Sequence, residues 1–406
     1  QDVESLPSNE ASVTLPVLNC YPPTGLVAQT SSNNVMLNWE SVTGQGGYFG
    51  YYNGTFQNAI GAGGIDEATR EGIFEPKHFC RDIKFHKVEI TDEGALIITW
   101  ESDGLTASYH PGWLRHIALN QHTVDSFTPK SATWTSEEFS EPSRFDAKKI
   151  LECQNSKKEW INTLIGKGLA KLQNAPDDVN FLNEISEAVG PIRSTNFGGI
   201  WDVKADVKLA GSTDTNSTAN TSLALSPHTD LPTRETPPGF QFLHCLKNET
   251  RGGESTMTDG YAVVETLKAD WAEDYQILTT CNWIFFNRGP GIDHRWSGPI
   301  IELAEFGRPL TLRAFYPVRA FPDMPLSHIP MAYSAMQRLY KLASDSRFQI
   351  QFPFEPGDVV CFDNRRILHG RNAFDGSGSR HLRGIYIDRD EILSCARIMN
   401  RAIKNK

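Results

Sequence analysis

Among the eleven histidines of this chain, His228 is the one with a carboxylate two residues on, in Ser226-Pro227-His228-Thr229-Asp230. Side chains at i and i+2 of an extended segment point to one side, so His228 and Asp230 can reach one ion from a single strand end. A second imidazole, His369, lies far downstream in Leu368-His369-Gly370-Arg371, after the strand-like run Val359-Val360-Cys361-Phe362. Two imidazoles and one carboxylate on one face of an octahedron, with three positions open, is the arrangement of non-haem Fe(II) oxygenases. An isolated His-x-Asp triplet also arises in turns and surface hydrogen bonds; the company of His369 is what distinguishes this one. Further on, Arg380, Leu382, Gly384 and Tyr386 share one face of a predicted strand, with His381, Arg383 and Ile385 on the other.

These residues belong to longer ordered segments: Pro237-Pro238-Gly239-Phe240-Gln241-Phe242-Leu243-His244-Cys245, Gly252-Gly253-Glu254-Ser255, Asp259-Gly260, Pro356-Gly357-Asp358, Phe362-Asp363-Asn364 and Arg380-His381-Leu382-Arg383-Gly384-Ile385-Tyr386-Ile387-Asp388. Together with His228-Thr229-Asp230 and Leu368-His369-Gly370-Arg371, they resemble the gamma-butyrobetaine and trimethyllysine hydroxylases. Those form a branch of the taurine-dioxygenase-like iron and 2-oxoglutarate oxygenases. The resemblance extends upstream through 195–203 and more weakly through 97–100 and 111–114, covering most of residues 80 to 395.

The resemblance implies a double-stranded β-helix (jelly-roll) catalytic domain with flanking helices, preceded by a small β-rich domain. It implies Fe(II) on His228, Asp230 and His369, with 2-oxoglutarate and O2 as cosubstrates. A planar guanidinium fork suits the distal carboxylate of the ketoacid. Arg380 takes that role, with Arg371 and Arg383 as fallbacks and Leu243 beside the cosubstrate. Asp363 and Asn364 precede His369 where they could orient it. His244, on an apolar strand, reads as a satisfied core histidine rather than a ligand. Many relatives hold a structural zinc in the N-terminal domain; the matching stretch, Tyr51 to Gly63, has neither cysteine nor histidine, and His78, Cys80 and His86 lack the spacing of a site, so no zinc is expected.

Butyrobetaine hydroxylases enclose a trimethylammonium group in an aromatic box held by cation–π attraction. The matching positions here are Phe197, Trp201, Asn220 and Tyr386, with Leu231 beside them, so the box is partial. The segment Leu312-Arg313-Ala314-Phe315-Tyr316-Pro317 also has no asparagine for a substrate carboxylate. These departures favour oxidation of an unactivated C–H, by hydroxylation, desaturation or rearrangement, on a specialised metabolite such as a terpenoid or polyketide-derived compound. The alternative is a gamma-butyrobetaine or trimethyllysine hydroxylase of carnitine biosynthesis. A non-catalytic jelly-roll partner of an active paralogue is the third reading, which the intact triad opposes. Zinc hydrolysis is disfavoured by the lack of H-E-x-x-H.

Several elements must position these groups. Residues 1–45 read as an irregular lead-in and 46–122 as the small β-rich domain, with strands at 88–90, 95–100 and 108–110 between Asp-Gly turn signals. Residues 123–146 read as a linker and 147–406 as the catalytic domain. Trp160, Ile161, Leu164, Ile165, Leu169 and Leu172 recur at helical spacing, as do Phe181, Leu182, Ile185, Ala188 and Val189 before Gly190; a third helix is expected at 331–344. The polar insertion 209–220, just before His228, suits a lid.

A net charge of −10 argues against nucleic acid, and no apolar stretch approaches the roughly 18 residues of a membrane span. Seven cysteines without C-x-x-C spacing suggest a reducing, cytoplasmic setting. No charged-then-apolar leader opens the chain, and Gln1 in place of Met points to a trimmed or processed start. The resemblance implies a small-molecule substrate and a homodimer or a dimer with a paralogue.

Overall fold

Turn residues and β-favouring runs organise the first of two units into which the chain divides, Gln1–Val124 and Asp125–Lys404. The computed structural model describes residues 13–14, 27–31, 34–38, 85–92, 94–100, 106–109 and 128–402, the last apart from 179, 206–217, 290, 305–307, 315–319 and 376–377. In the first unit β1 (Val13–Thr14), β2 (Val27–Ser31) and β3 (Asn34–Asn38) form an antiparallel sheet. This differs from the irregular lead-in expected over 1–45. Ser31 pairs with Asn34, which leaves a two-residue connection, the length of the tightest hairpins. Next come β4 (Phe85–Ile90), β5 (Leu96–Trp100) and β6 (Thr106–Tyr109), the antiparallel sheet the alternating residues predict, with Leu96 and Ile98 buried. Residues 51–63, His78 and Cys80 lie outside the described residues; His86 is on β4.

The second unit opens with β7 (Arg144–Asp146), α1 (Ala147–Glu152), α2 (Gln154–Lys167), β8 (Leu169–Gln173), α3 (Phe181–Val189) and β9 (Ile200–Ala205). Then follow β10 (Leu225–His228), β11 (Phe240–Asn248), β12 (Ser255–Asp259), α4 (Gly260–Asp270) and α5 (Ala272–Thr280). β13 (Asn282–Gly289), β14 (Ile292–Gly298), β15 (Ile301–Leu303), β16 (Pro309–Leu312), β17 (Ala320–Asp323) and α6 (Ile329–Ala343) form a side excursion. The chain closes with β18 (Gln349–Phe352), β19 (Val359–Asp363), β20 (Ile367–Arg371), β21 (Arg380–Ile387) and α7 (Arg389–Ala402).

A six-stranded sheet, β7-β8-β19-β11-β21-β9, packs on a four-stranded sheet, β10-β20-β12-β18. Leu243, Cys245, Val360, Phe362 and Leu382 from the first meet Met257, Ile350 and Ile367 from the second. Side chains of successive strand residues alternate faces, so Phe242, Cys361 and Ile385 point the other way, onto Trp160, Leu164, Phe181 and Ile392 of the helices. This is the expected jelly roll with flanking helices. No helix among the described residues is long and apolar enough to cross a membrane.

Two local expectations shift. The helical spacing that runs to Leu172 breaks at Gly168, whose φ of 74° ends α2 and sends Leu169 and Leu172 into β8. A Cβ there would also stand 2.9 Å from Arg366 Cδ. The stretch 123–146, read as a linker, instead carries β7, parallel to β8, and the buried Trp134. Its anchor is a fully buried ion pair: Arg366 donates to both oxygens of Asp259, at 2.9 and 2.8 Å, and also to Ser131, Ala132 and Gly166. Asp259 accepts in turn from the backbone of Trp134 and Tyr261.

His244 lies wholly buried beside Phe181, but neither ring nitrogen meets a protein partner, so it is not the satisfied core histidine expected. Burial holds its pKa below the ordinary 6.5. The folded protein keeps it neutral while the unfolded chain takes up a proton below about pH 6.5, so stability falls as pH drops through that value. His244→Phe is expected to lose less melting temperature between about pH 7.5 and 5.5 than the parent; equal losses would contradict this. Arg366→Leu strands a buried carboxylate and is expected to cost about 3–5 kcal/mol in chemical denaturation, against which a loss under about 1 kcal/mol would count.

Candidate active site

Strand pairing brings the three candidate metal ligands together. β10 runs antiparallel to β20 with His228 opposite His369, and on the other side of β20 Met257 of β12 pairs with His369. The two imidazoles stand 4.2 Å apart between centroids. Asp230 Oδ1 lies 3.5 Å from His228 Nε2, and Oδ2 lies 3.8 Å from His369 Nε2. One ligand atom from each residue falls within 4.8 Å of the others. His228 Nδ1 is 2.8 Å from Ser226 O; a carbonyl only accepts, so Nδ1 carries a proton and Nε2 is the atom that faces Asp230. Such a donor set could hold Fe(II) and leave the remaining positions open.

Asp230 is held from several sides. Burial alone would raise its pKa, but His369, His228 and the Tyr386 hydroxyl outweigh that and hold the carboxyl well below the usual range. Tyr386 OH donates to Asp230 Oδ2 at 2.8 Å, and its own pKa is driven well above 10 by burial and by that carboxylate. Burial and then His228 push His369 down to about 3. Asn364 clamps the Asp230 backbone: Asp230 N donates to its Oδ1 at 2.7 Å, and its Nδ2 donates to Asp230 O at 3.0 Å and Pro238 O at 3.2 Å. The partner of Asn364 is therefore Asp230, not His369 as expected. Asp363 touches none of the three; it pairs with Arg389 and accepts from Arg365 N.

The residue after Asp230, Leu231, has φ 52°, a conformation that costs a branched side chain roughly 1–2 kcal/mol. Two groups that the sequence reading missed hold this turn in place. Thr229 bonds to the backbone at Leu312 and Ala314. Arg313, 1% exposed, donates to the carbonyls of Pro232, Arg234 and Glu235 and pairs with Glu302. The one available signal was an arginine inside the apolar run Leu312-Arg313-Ala314.

The triad opens into a cavity of about 490 Å³. Arg380, Leu243, Arg371 and Leu231 all line it, as do Phe197, Trp201, Asn220 and Tyr386. The strand parity of β21 holds, since Arg380 and Tyr386 are both buried and face inward. Arg380 Nε meets no protein acceptor, and among the described residues no carboxylate pairs with this guanidinium. Arg383 points away from the cavity and pairs with Asp202, which removes it as a fallback. Arg371 spends its Nη groups on backbone carbonyls of 219, 221 and 223. The Trp201 indole lies across Gly384, where a Cβ would come within 2.4 Å of the ring, and stands 5.3 Å from the Tyr386 ring. Phe197 is 48% exposed at the rim. Residues 206–217, most of the expected lid, and 315–319 lie outside the described residues.

Asn364→Ala frees the Asp230 backbone and is expected to weaken anaerobic Fe(II) binding about 10–100-fold, the usual effect of losing such a support. Calorimetric titration giving a change under about threefold would contradict it.

The family model for taurine catabolism dioxygenase TauD, TfdA family, matches residues 126–386. Gamma-butyrobetaine dioxygenase of Pseudomonas sp. (strain AK-1) is 35% identical over 341 residues, which span 83% of this chain and 87% of that protein. Human mitochondrial trimethyllysine dioxygenase is 27% identical over 76% of this chain and 73% of its own. The PvcB protein from Pseudomonas aeruginosa is similar at 20% identity and a TM-score of 0.44, over 57% of this chain and 80% of that one. With the family model across the jelly roll and a relative matched along most of both chains, this protein belongs to the TauD, TfdA family and is a 2-oxoglutarate-dependent Fe(II) dioxygenase.

Proposed function

We propose that His228, Asp230 and His369 hold the iron, that Arg380 grips the far carboxylate of 2-oxoglutarate, and that the substrate is a small quaternary-ammonium acid of the gamma-butyrobetaine type. Most weight rests on the buried guanidinium of Arg380, which has no carboxylate partner among the described residues and faces the same cavity as the triad. A buried cation without a partner is costly, and a dicarboxylate ligand supplies the missing charge.

The chemistry supplied by bound ferrous iron is activation of O2, so that 2-oxoglutarate is oxidised to succinate and CO2 while one oxygen atom enters a substrate C–H bond. The protein's own groups orient and shield. Tyr386 and Asn364 keep the Asp230 carboxylate ionised and aimed. Leu243 and Leu382 add apolar surface to the cavity that Arg380 faces. Trp201, Tyr386 and Phe197 offer aromatic surface to a trimethylammonium group, each face worth about 0.5–2 kcal/mol.

The relatives' names support this substrate class over the specialised metabolite that the eroded box suggested. A second reading stays in view because of one observation. Asn220 stands in the cavity wall at a position where the resemblance calls for an aromatic ring, which suits a bulkier, less charged molecule.

Succinate release measured with gamma-butyrobetaine, trimethyllysine and a panel of terpenoid and polyketide acids decides between the two. Coupled turnover of a betaine is expected; turnover confined to the uncharged acids would favour the second reading. His228→Ala is expected to abolish turnover. Arg380→Gln is expected to raise KM for 2-oxoglutarate about 100-fold, the worth of a buried charge-assisted contact. An unchanged KM would remove Arg380 from the cosubstrate site.

A further inference from the structure

Arg371 sits two residues past His369 on β20 and is 4% exposed. Its Nη1 donates to Ala219 O at 3.1 Å, and its Nη2 donates to Thr221 O at 2.6 Å and Leu223 O at 2.7 Å. One guanidinium therefore gathers three carbonyls of a single short stretch. That stretch continues into β10, where Leu225 pairs with Arg371 across the strands. It also forms a wall of the cavity, through Ala219, Asn220 and Leu225. The same cavity also carries Arg380. Both guanidinium groups approach the same Phe374 ring, at 4.7 Å for Arg371 and 6.0 Å for Arg380.

Two cations thus share one cavity, and among the described residues neither has a carboxylate partner. Burial, and then Arg380, push Arg371 down to about 10, which leaves it charged at pH 7. A guanidinium is suited to this post because its planar fork places several donors at fixed angles; a lysine ammonium is a point donor on a flexible stem.

We infer that Arg371 is a positioning residue for the organic substrate: it fixes residues 219–225 as the wall that presents Asn220, and it ties that wall to binding of a dicarboxylate at Arg380. This inference rests on the reading of Arg380 given above. An anion at Arg380 relieves the repulsion between the two arginines, so the latch on 219–225 tightens. Because linkage is reciprocal, a substrate that packs against this wall also tightens the anion. Arg371 is thereby separated from the cosubstrate ligands, the place first expected for it.

The test uses the full chain loaded with Fe(II), with Arg371→Lys beside the parent. KM for gamma-butyrobetaine is expected to rise about tenfold, and KM for 2-oxoglutarate to stay within about threefold. The share of 2-oxoglutarate consumed without substrate oxidation is expected to increase. Amide hydrogen exchange supplies a readout free of turnover. It is expected to be slow across 219–225 in the parent, slower still with 2-oxoglutarate, and fast in the variant with or without it. Should the variant's melting show misfolding, Arg371→Gln takes its place.

A rise in KM for 2-oxoglutarate with KM for the betaine unchanged would make Arg371 a cosubstrate ligand and overturn the inference. So would exchange across 219–225 that is the same in both proteins, or that 2-oxoglutarate leaves unmoved in the parent. If the parent binds 2-oxoglutarate independently of Arg380, the underlying reading fails instead; if it turns over no betaine, only the substrate assignment fails, and exchange still decides the role of Arg371.

Discussion

One ionised carboxylate seated between two imidazoles is the interaction to which the rest of the domain is fitted. A buried carboxylate resists ionisation, and two imidazoles 4.2 Å apart repel if both are charged. The fold answers both demands with hydrogen bonds rather than with solvent. Tyr386 supports the charge on Asp230, Ser226 sets the tautomer of His228, and Asn364 and Thr229 hold the connecting backbone. The left-handed turn at Leu231 is the strained product of that fit. It persists because Arg313, buried against Glu302, binds the carbonyls that follow it.

The geometry of the candidate site was legible wherever it depends on local spacing. His228 and Asp230 share a strand end, and the period of two along β21 puts Arg380 and Tyr386 on one face; both can be read from the chain alone. Helices α2 and α3 were legible for the same reason, up to the point where Gly168 turns the backbone. Contacts between distant segments were not legible. Asn364 pairs with Asp230 rather than with its neighbour His369, and Arg366 reaches back to Asp259 and residues 131–132, which makes a supposed linker part of the sheet. No periodicity encodes such pairs, because their energy comes from burial that only the assembled sheets create.

The cavity is lined by two arginines and by aromatic rings, in a chain of net charge −10. Arg371 and Arg380 lie within it, Trp201 and Tyr386 line it, and Asn220 stands where the resemblance calls for another ring. Carboxylates suit the arginines, and a cation or an apolar body suits the rings. The position of Asn220 in a wall pinned by Arg371 makes that wall the place where specificity within the family would be adjusted.

The central claim is that the triad and Arg380 together couple 2-oxoglutarate oxidation to insertion of oxygen from O2 into a substrate bound in this cavity. Turnover of gamma-butyrobetaine under ¹⁸O₂, followed by mass spectrometry of both products, tests it most directly. One heavy oxygen in succinate and one in the hydroxylated product is the predicted result. Succinate free of the label, or a hydroxylated product whose oxygen comes only from water, would contradict it.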